Sequence, residues 1–120
     1  MPVVYVPGNH DFWWDRGEER YTIRDQLAHG RDRAAALGIH LLLDDTVLID
    51  GIRFLGGTLW TDFRLGSLSL THAFHSAQGR DGMVDYRRIR TRPRSRDRIK
   101  PEEFLAMHCA TRAFLNVGLA

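Results

Sequence analysis

Apolar and polar positions change period several times along the chain, and each change marks an element. Val3-Val4-Tyr5-Val6 is a short β-branched and aromatic run, the pattern of a buried strand, and Pro7-Gly8 stops it with a turn. Ile23, Leu27, Ala34 and Leu37 then recur at helical spacing, which predicts a helix from near Glu18 to Leu37. Gly30 weakens its middle and Gly38 is a natural stop. His40 to Leu43 reads as a short strand. Val47 to Ile49 and Ile52 to Leu55 flank Asp50-Gly51, a strong two-residue hairpin signal, with the second arm reaching as far as Leu59 or Trp60. The pair Gly56-Gly57 predicts a bulge or a close backbone approach.

The second half is less regular. Leu65 to Gln78 suggests a helix around Leu70 to Phe74. Gly79 to Lys100 is rich in arginine and poor in apolar groups, and reads mostly as loop. Pro101-Glu102-Glu103 opens a last helix, with proline in the first turn and acids at the positive end of the dipole. Phe104, Leu105, Cys109, Ala113 and Leu115 supply its inner face, with His108 as a packing or capping residue and Cys109 as a small core residue. Strand, helix, three strands, basic segment and helix make an α/β layered arrangement in one domain, 1–120.

Composition narrows the class. The 43% apolar and 27% charged fractions over 120 residues are those of a soluble globular domain. No apolar stretch approaches the ~20 residues of a membrane span, and the start lacks the basic and apolar regions of a signal peptide. A single cysteine makes no internal disulfide, so a reducing cytoplasm is the simplest compartment. The net charge of +2 is unevenly spread: nine arginines and lysines lie between Arg80 and Lys100. That segment is able to attract a polyanion such as nucleic acid, although Asp81, Asp85 and Asp97 dilute it and Tyr86 is its only aromatic. A solvated loop is the simpler reading.

The chemistry concentrates at Gly8-Asn9-His10-Asp11, directly after the first strand. Open α/β sheets bind ligands at the carboxyl ends of their strands. Asn, His and Asp bind metals or move protons, and all three also form turns. The order of the four residues arises by chance at on the order of one position in 10^5 to 10^6.

Val6-Pro7-Gly8-Asn9-His10-Asp11 resembles the third signature block of the calcineurin-like metallophosphoesterases, two-metal hydrolases of phosphate esters. The segment 38–43, the segment 47–63, Met83-Val84-Asp85-Tyr86 with Arg87-Arg88-Ile89, and the helix from Pro101 with His108 and Phe114-Leu115 are similar to one bacterial branch of that family. The stretch from Gly66 to Gly79 fits least. The resemblance implies a layered sandwich with a mixed sheet flanked by helices. It implies Asn9 as a metal ligand through its amide oxygen, His10 as general acid or hydrogen-bond donor to the leaving group, and Asp11 as acceptor of a hydrogen bond from His10 that favours imidazolium. Gly8 would permit tight backbone approach, with positive φ as one option. The implied cofactors are two metal ions (manganese, iron or zinc), and the implied substrate is a phosphate mono- or diester.

The family pattern also requires an Asp-x-His, a Gly-Asp-x-x-Asp, a strand-end His and a Gly-His-x-His, and none of these occurs here. The chain thus resembles the middle of an enzyme and is expected to be inactive alone. Its first strand would expose an apolar edge and promote self-association. The alternatives are a non-catalytic polyanion-binding module using Arg80 to Lys100, or a truncated product without its own function. Among the other residues, His72 and His75 share a helical face but lack a third ligand, the pattern of surface histidines. Phe12-Trp13-Trp14 either lines a substrate mouth or covers the sheet edge, and Trp60 to Phe63 reaches the same rim.

Overall fold

Turn chemistry and capping fix the framework. The computed structural model describes residues 1–13, 21–92 and 98–120. Strand β1 (Val3–Tyr5) runs into a 3-10 turn (Asn9–Phe12), and helix α1 (Ile23–Leu37) follows. The expected start of α1 near Glu18 lies outside the described residues. The observed start is set by a capping box: the Thr22 backbone N–H donates to Asp25 Oδ2 at 2.9 Å, and the Asp25 N–H donates to Thr22 Oγ1 at 3.2 Å. Gly38 ends α1 as expected, in the left-handed conformation (φ 66°), with its N–H donating to the Ala34 and Ala35 carbonyls.

The chain then returns beside β1. Strand β2 (Ile39–Leu41) pairs in parallel with β1, Val3 opposite Ile39 and Tyr5 opposite Leu41. Strands β3 (Asp45–Ile49) and β4 (Ile52–Gly56) form the expected hairpin. Asp50 and Gly51 both have positive φ, 49° and 80°, as the tight hairpin turn demands. Strand β4 stops at Gly56 rather than running on to Trp60. The reason is close approach: a Cβ on Gly56 would lie 2.8 Å from both Leu42 Cβ and Val6 Cγ2, and one on Gly57 would collide with Asp44 Oδ1. The glycines let the hairpin press against the segments that follow β1 and β2.

The architecture is mixed α/β, with two separate two-stranded sheets among the described residues, β1–β2 and β3–β4. Among the described residues, β3 and β4 therefore do not join β1 and β2 in one mixed sheet. Helices α2 (Leu70–Gln78), α3 (Asp85–Arg88) and α4 (Pro101–Leu119) complete the fold. Helix α4 starts with Pro101 in its first turn, and the Lys100 N–H donates to Glu103 Oε2 at 2.8 Å. Its buried positions are Pro101, Phe104, His108 and Thr111, a stripe at spacings of three and four. Cys109 is exposed, off that stripe, and is not the core residue its sequence setting suggests.

The core gathers Phe12, Trp60, Tyr86, Ile89, Ile99 and Phe104. Trp60 lies between Phe12 and Phe104, with ring centroids 5.5 and 4.8 Å away, and Tyr86 meets Phe104 edge-on at 5.3 Å. Three of these six residues come from the arginine-rich segment. That segment is thus a core-forming element and not simply a solvated loop. Its backbone is tied in as well: the Ile23 N–H donates to the Arg90 carbonyl, and the Ile99 N–H to the Ile89 carbonyl. Arg94 and Arg96 lie outside the described residues. No helix among the described residues is long and apolar enough to cross a membrane.

Candidate active site

The first strand delivers the Gly-Asn-His-Asp turn to the carboxyl end of the parallel pair, where the local sequence holds it in a single 3-10 turn. The Asp11 N–H donates to the Gly8 carbonyl at 3.2 Å, and Asp11 Oδ2 accepts from the Gly8 N–H at 2.7 Å. Gly8 has φ −93°, so a positive φ is not the reason for glycine there. From the other side, Thr58 Oγ1 donates to the Pro7 carbonyl at 2.7 Å. This bond fastens the turn to the stretch after β4.

Asn9 is half-buried, and its amide is oriented. Nδ2 donates to Asp85 Oδ1 at 2.7 Å. Only the nitrogen end of an amide can donate to a carboxylate, so the contact itself assigns the two ends of the side chain. The same Asp85 oxygen accepts from Trp13 Nε1 at 3.1 Å. Asp85 is 4% exposed and opens helix α3, so a buried carboxylate receives two donors from the turn region.

His10 is exposed, and its ring lies on Trp13, with centroids 3.7 Å apart and planes tilted by 31°. The expected hydrogen bond from His10 to Asp11 is not formed. Asp11 turns back along the chain, and its oxygens accept from the Gly8 N–H and from the Tyr5 hydroxyl at 2.7 Å. The two donors are a hydroxyl at the end of β1, six positions earlier, and a backbone N–H within the turn. The bond to Asp11 raises the Tyr5 hydroxyl above its ordinary pKa of 10.0, with partial burial and the Asp11 charge adding. What orients His10 here is Trp13.

Asn9 also lines a cleft of about 370 Å³ together with Pro7, Gly8, Thr58, Leu59, Thr61 and Met83. Trp60 and Phe104 form its floor from the core side. Of the expected aromatic rim, Phe12 is a core residue and Trp13 a wall for His10, while Trp14 lies outside the described residues.

The remaining candidates stand apart. His72 and His75 are exposed on α2. His108 is buried, and its Nδ1 bonds the Trp60 carbonyl, so it packs as expected for a structural histidine. Its Nε2 lies 4.0 Å from Asp62 Oδ2. Asp62 is held below the ordinary carboxylate value, chiefly by the Arg64 backbone N–H. Among the described residues, no three His, Cys, Asp or Glu side chains gather as a metal cluster. The described residues therefore do not form a complete two-metal centre, and the Asn9 amide oxygen is one donor at the turn chemically able to hold a cation. Asp85 as the hydrogen-bond partner of Asn9 is not evident from the sequence. The acid is visible in Met83-Val84-Asp85-Tyr86, but nothing local links it to a residue 76 positions earlier. Comparisons with protein-family models, curated proteins and solved structures return no match.

Proposed function

We propose that this chain is the central part of a calcineurin-like metallophosphoesterase, an enzyme that hydrolyses phosphate mono- or diesters with two metal ions. The observation that carries the reading is the Asn9 amide. Its nitrogen is tied to a buried carboxylate at 2.7 Å, which leaves the oxygen as the free end at the carboxyl end of β1. A neutral oxygen ligand holds a cation without cancelling its charge. The metals, when bound, supply an activated water and neutralise the phosphate oxygens.

The residues of this chain do the rest. Asn9 presents its amide oxygen to one of the two ions, of manganese, iron or zinc. His10, exposed beside it, donates a hydrogen bond or a proton to the leaving oxygen. Trp13 fixes the plane of the His10 ring. Asp11 holds the turn closed through Gly8 and Tyr5, so its role is to shape the loop. The described residues bring one of the expected metal ligands, and the chain by itself is therefore expected to be inactive. The single exposed thiol, Cys109, suits a reducing cytoplasm.

The test is hydrolysis of an aryl phosphodiester and monoester with added manganese, in parallel with H10A. The chain alone is expected to turn over neither substrate. Fused between segments carrying the missing Asp-x-His, Gly-Asp-x-x-Asp and histidine blocks, it is expected to gain turnover that H10A lowers by ~10²–10⁴-fold. A folded, manganese-loaded fusion that is equally active with and without H10A would sink the reading.

A further inference from the structure

The geometry points to Asp85 as the positioning residue of this site. One carboxylate oxygen fixes both the direction of the Asn9 amide and, through Trp13, the seat of the His10 ring. This rests on the reading of Asn9 as a ligand and His10 as a donor, and it adds the residue that places them.

The argument is one of satisfied and unsatisfied groups. A primary amide on a turn has two orientations, related by a 180° rotation, that differ in which end faces outward. Asp85 removes that freedom, because a carboxylate accepts and does not donate. With Nδ2 at 2.7 Å from Oδ1, the flipped amide would set oxygen against oxygen in a nearly dry environment. Trp13 is constrained by the same atom. Its indole N–H has one hydrogen to give, and it gives that to Asp85 at 3.1 Å. The ring plane that results is the one on which His10 rests at 3.7 Å.

Asp85 is itself well held. It opens α3, its carbonyl accepts the Ile89 N–H at 2.8 Å, and its neighbour Tyr86 is a core residue. The anchor is therefore fixed to the core, the Asn9 and Trp13 side chains it directs are half-buried, and His10 beyond them is exposed. Supporting partners of this kind align ligands before the metal or substrate arrives.

Side-chain amide and indole N–H spectra of the full chain test this directly. In the unsubstituted chain, the Asn9 NH2 and Trp13 Nε1–H signals are expected at hydrogen-bonded shifts with slowed exchange. In D85L, both are expected to move to the shifts and exchange rates of free groups while the β3–β4 backbone signals stay in place. D85N keeps one uncharged acceptor, and an intermediate displacement is expected. If D85L does not fold, D85N gives the reading alone. Unchanged Asn9 and Trp13 signals in whichever variant folds overturn the proposal.

A manganese titration separates this proposal from the reading on which it rests. Broadening of the turn signals that N9A abolishes, and that D85L shifts to ~10-fold higher manganese, supports both. Broadening that N9A abolishes but D85L leaves unchanged overturns the positioning role and keeps the ligand. Broadening identical with and without N9A sinks the ligand reading, and the amide spectra still decide for or against Asp85.

Discussion

At the scale of single residues, burial separates polar groups that are placed from polar groups that are only enclosed. Asp85 and Tyr86 are neighbours, and both are buried. Asp85 receives two hydrogen bonds. The Tyr86 hydroxyl has no hydrogen-bond partner among the described residues, and burial raises its pKa, with the charges of Asp85 and Glu102 adding. An enclosed hydroxyl without a partner costs free energy that its ring does not need to bear. Tyr86→Phe is therefore expected to be neutral or to stabilise the chain by up to ~1 kcal/mol. Urea unfolding of the two proteins checks this, and a loss above ~1 kcal/mol would mean that the hydroxyl is bonded after all. This contrast was not legible in the sequence, where Asp85-Tyr86 is only a dipeptide within a basic stretch. The Gly-Asn-His-Asp turn was legible, because its position after a strand and its composition are local properties. The partner of Asn9 was not, because it depends on which distant segment the turn meets.

At the scale of elements, local signals succeeded where the chain satisfies itself and failed where it needs a distant surface. The Asp50-Gly51 hairpin, the Gly38 stop and the Pro101 start all appear as the residues demand. The end of β4 and the three core residues of the arginine-rich segment do not follow from local pattern. They follow from packing against Leu42, Val6 and Phe104. The start of α1 gives an element-scale prediction. Thr22→Ala removes the cap and is expected to cost ~1 kcal/mol, read by thermal or urea unfolding. Its pH dependence has a definite sign. The Thr22 backbone and side-chain bonds hold Asp25 below its ordinary pKa of 3.8. A carboxylate with a lowered folded pKa contributes stability that is fully present above 3.8 and is lost as pH falls through the lower folded value. Acid titration of the unfolding midpoint is expected to show this loss in the parent and a smaller one in D25N. Parallel curves for the two would contradict it.

At the scale of the whole molecule, the shape is a plate. Its principal extents are 46 × 39 × 19 Å, and its radius of gyration is 16.0 Å, against ~14 Å for a compact domain of this length. A thin plate leaves apolar surface on its faces. Val3, Tyr5 and Val6 are exposed on and beside β1, and Leu48, Ile52 and Phe54 on the hairpin. Among the described residues, strand β1 is bonded on one side by β2 and its other edge pairs with no strand. Self-association is the expected outcome, with a sedimentation coefficient that rises over a hundredfold range of concentration and falls back when Val3→Lys charges the edge. A monomer with a sharp, concentration-independent melt would count against it.

The bond between Asn9 and Asp85 closes a loop of 76 residues. Hairpins such as β3–β4 form in ~1–10 μs, because their ends are already close. A contact of such long separation forms only after the chain between its ends has found its place. The turn closes on itself through local bonds, but the direction of the Asn9 amide is expected to be set only late, when α3 reaches it. A single proteolytic cut between β4 and α2 would leave the hairpin whole on one piece, while making the geometry at Asn9 depend on two pieces finding each other again.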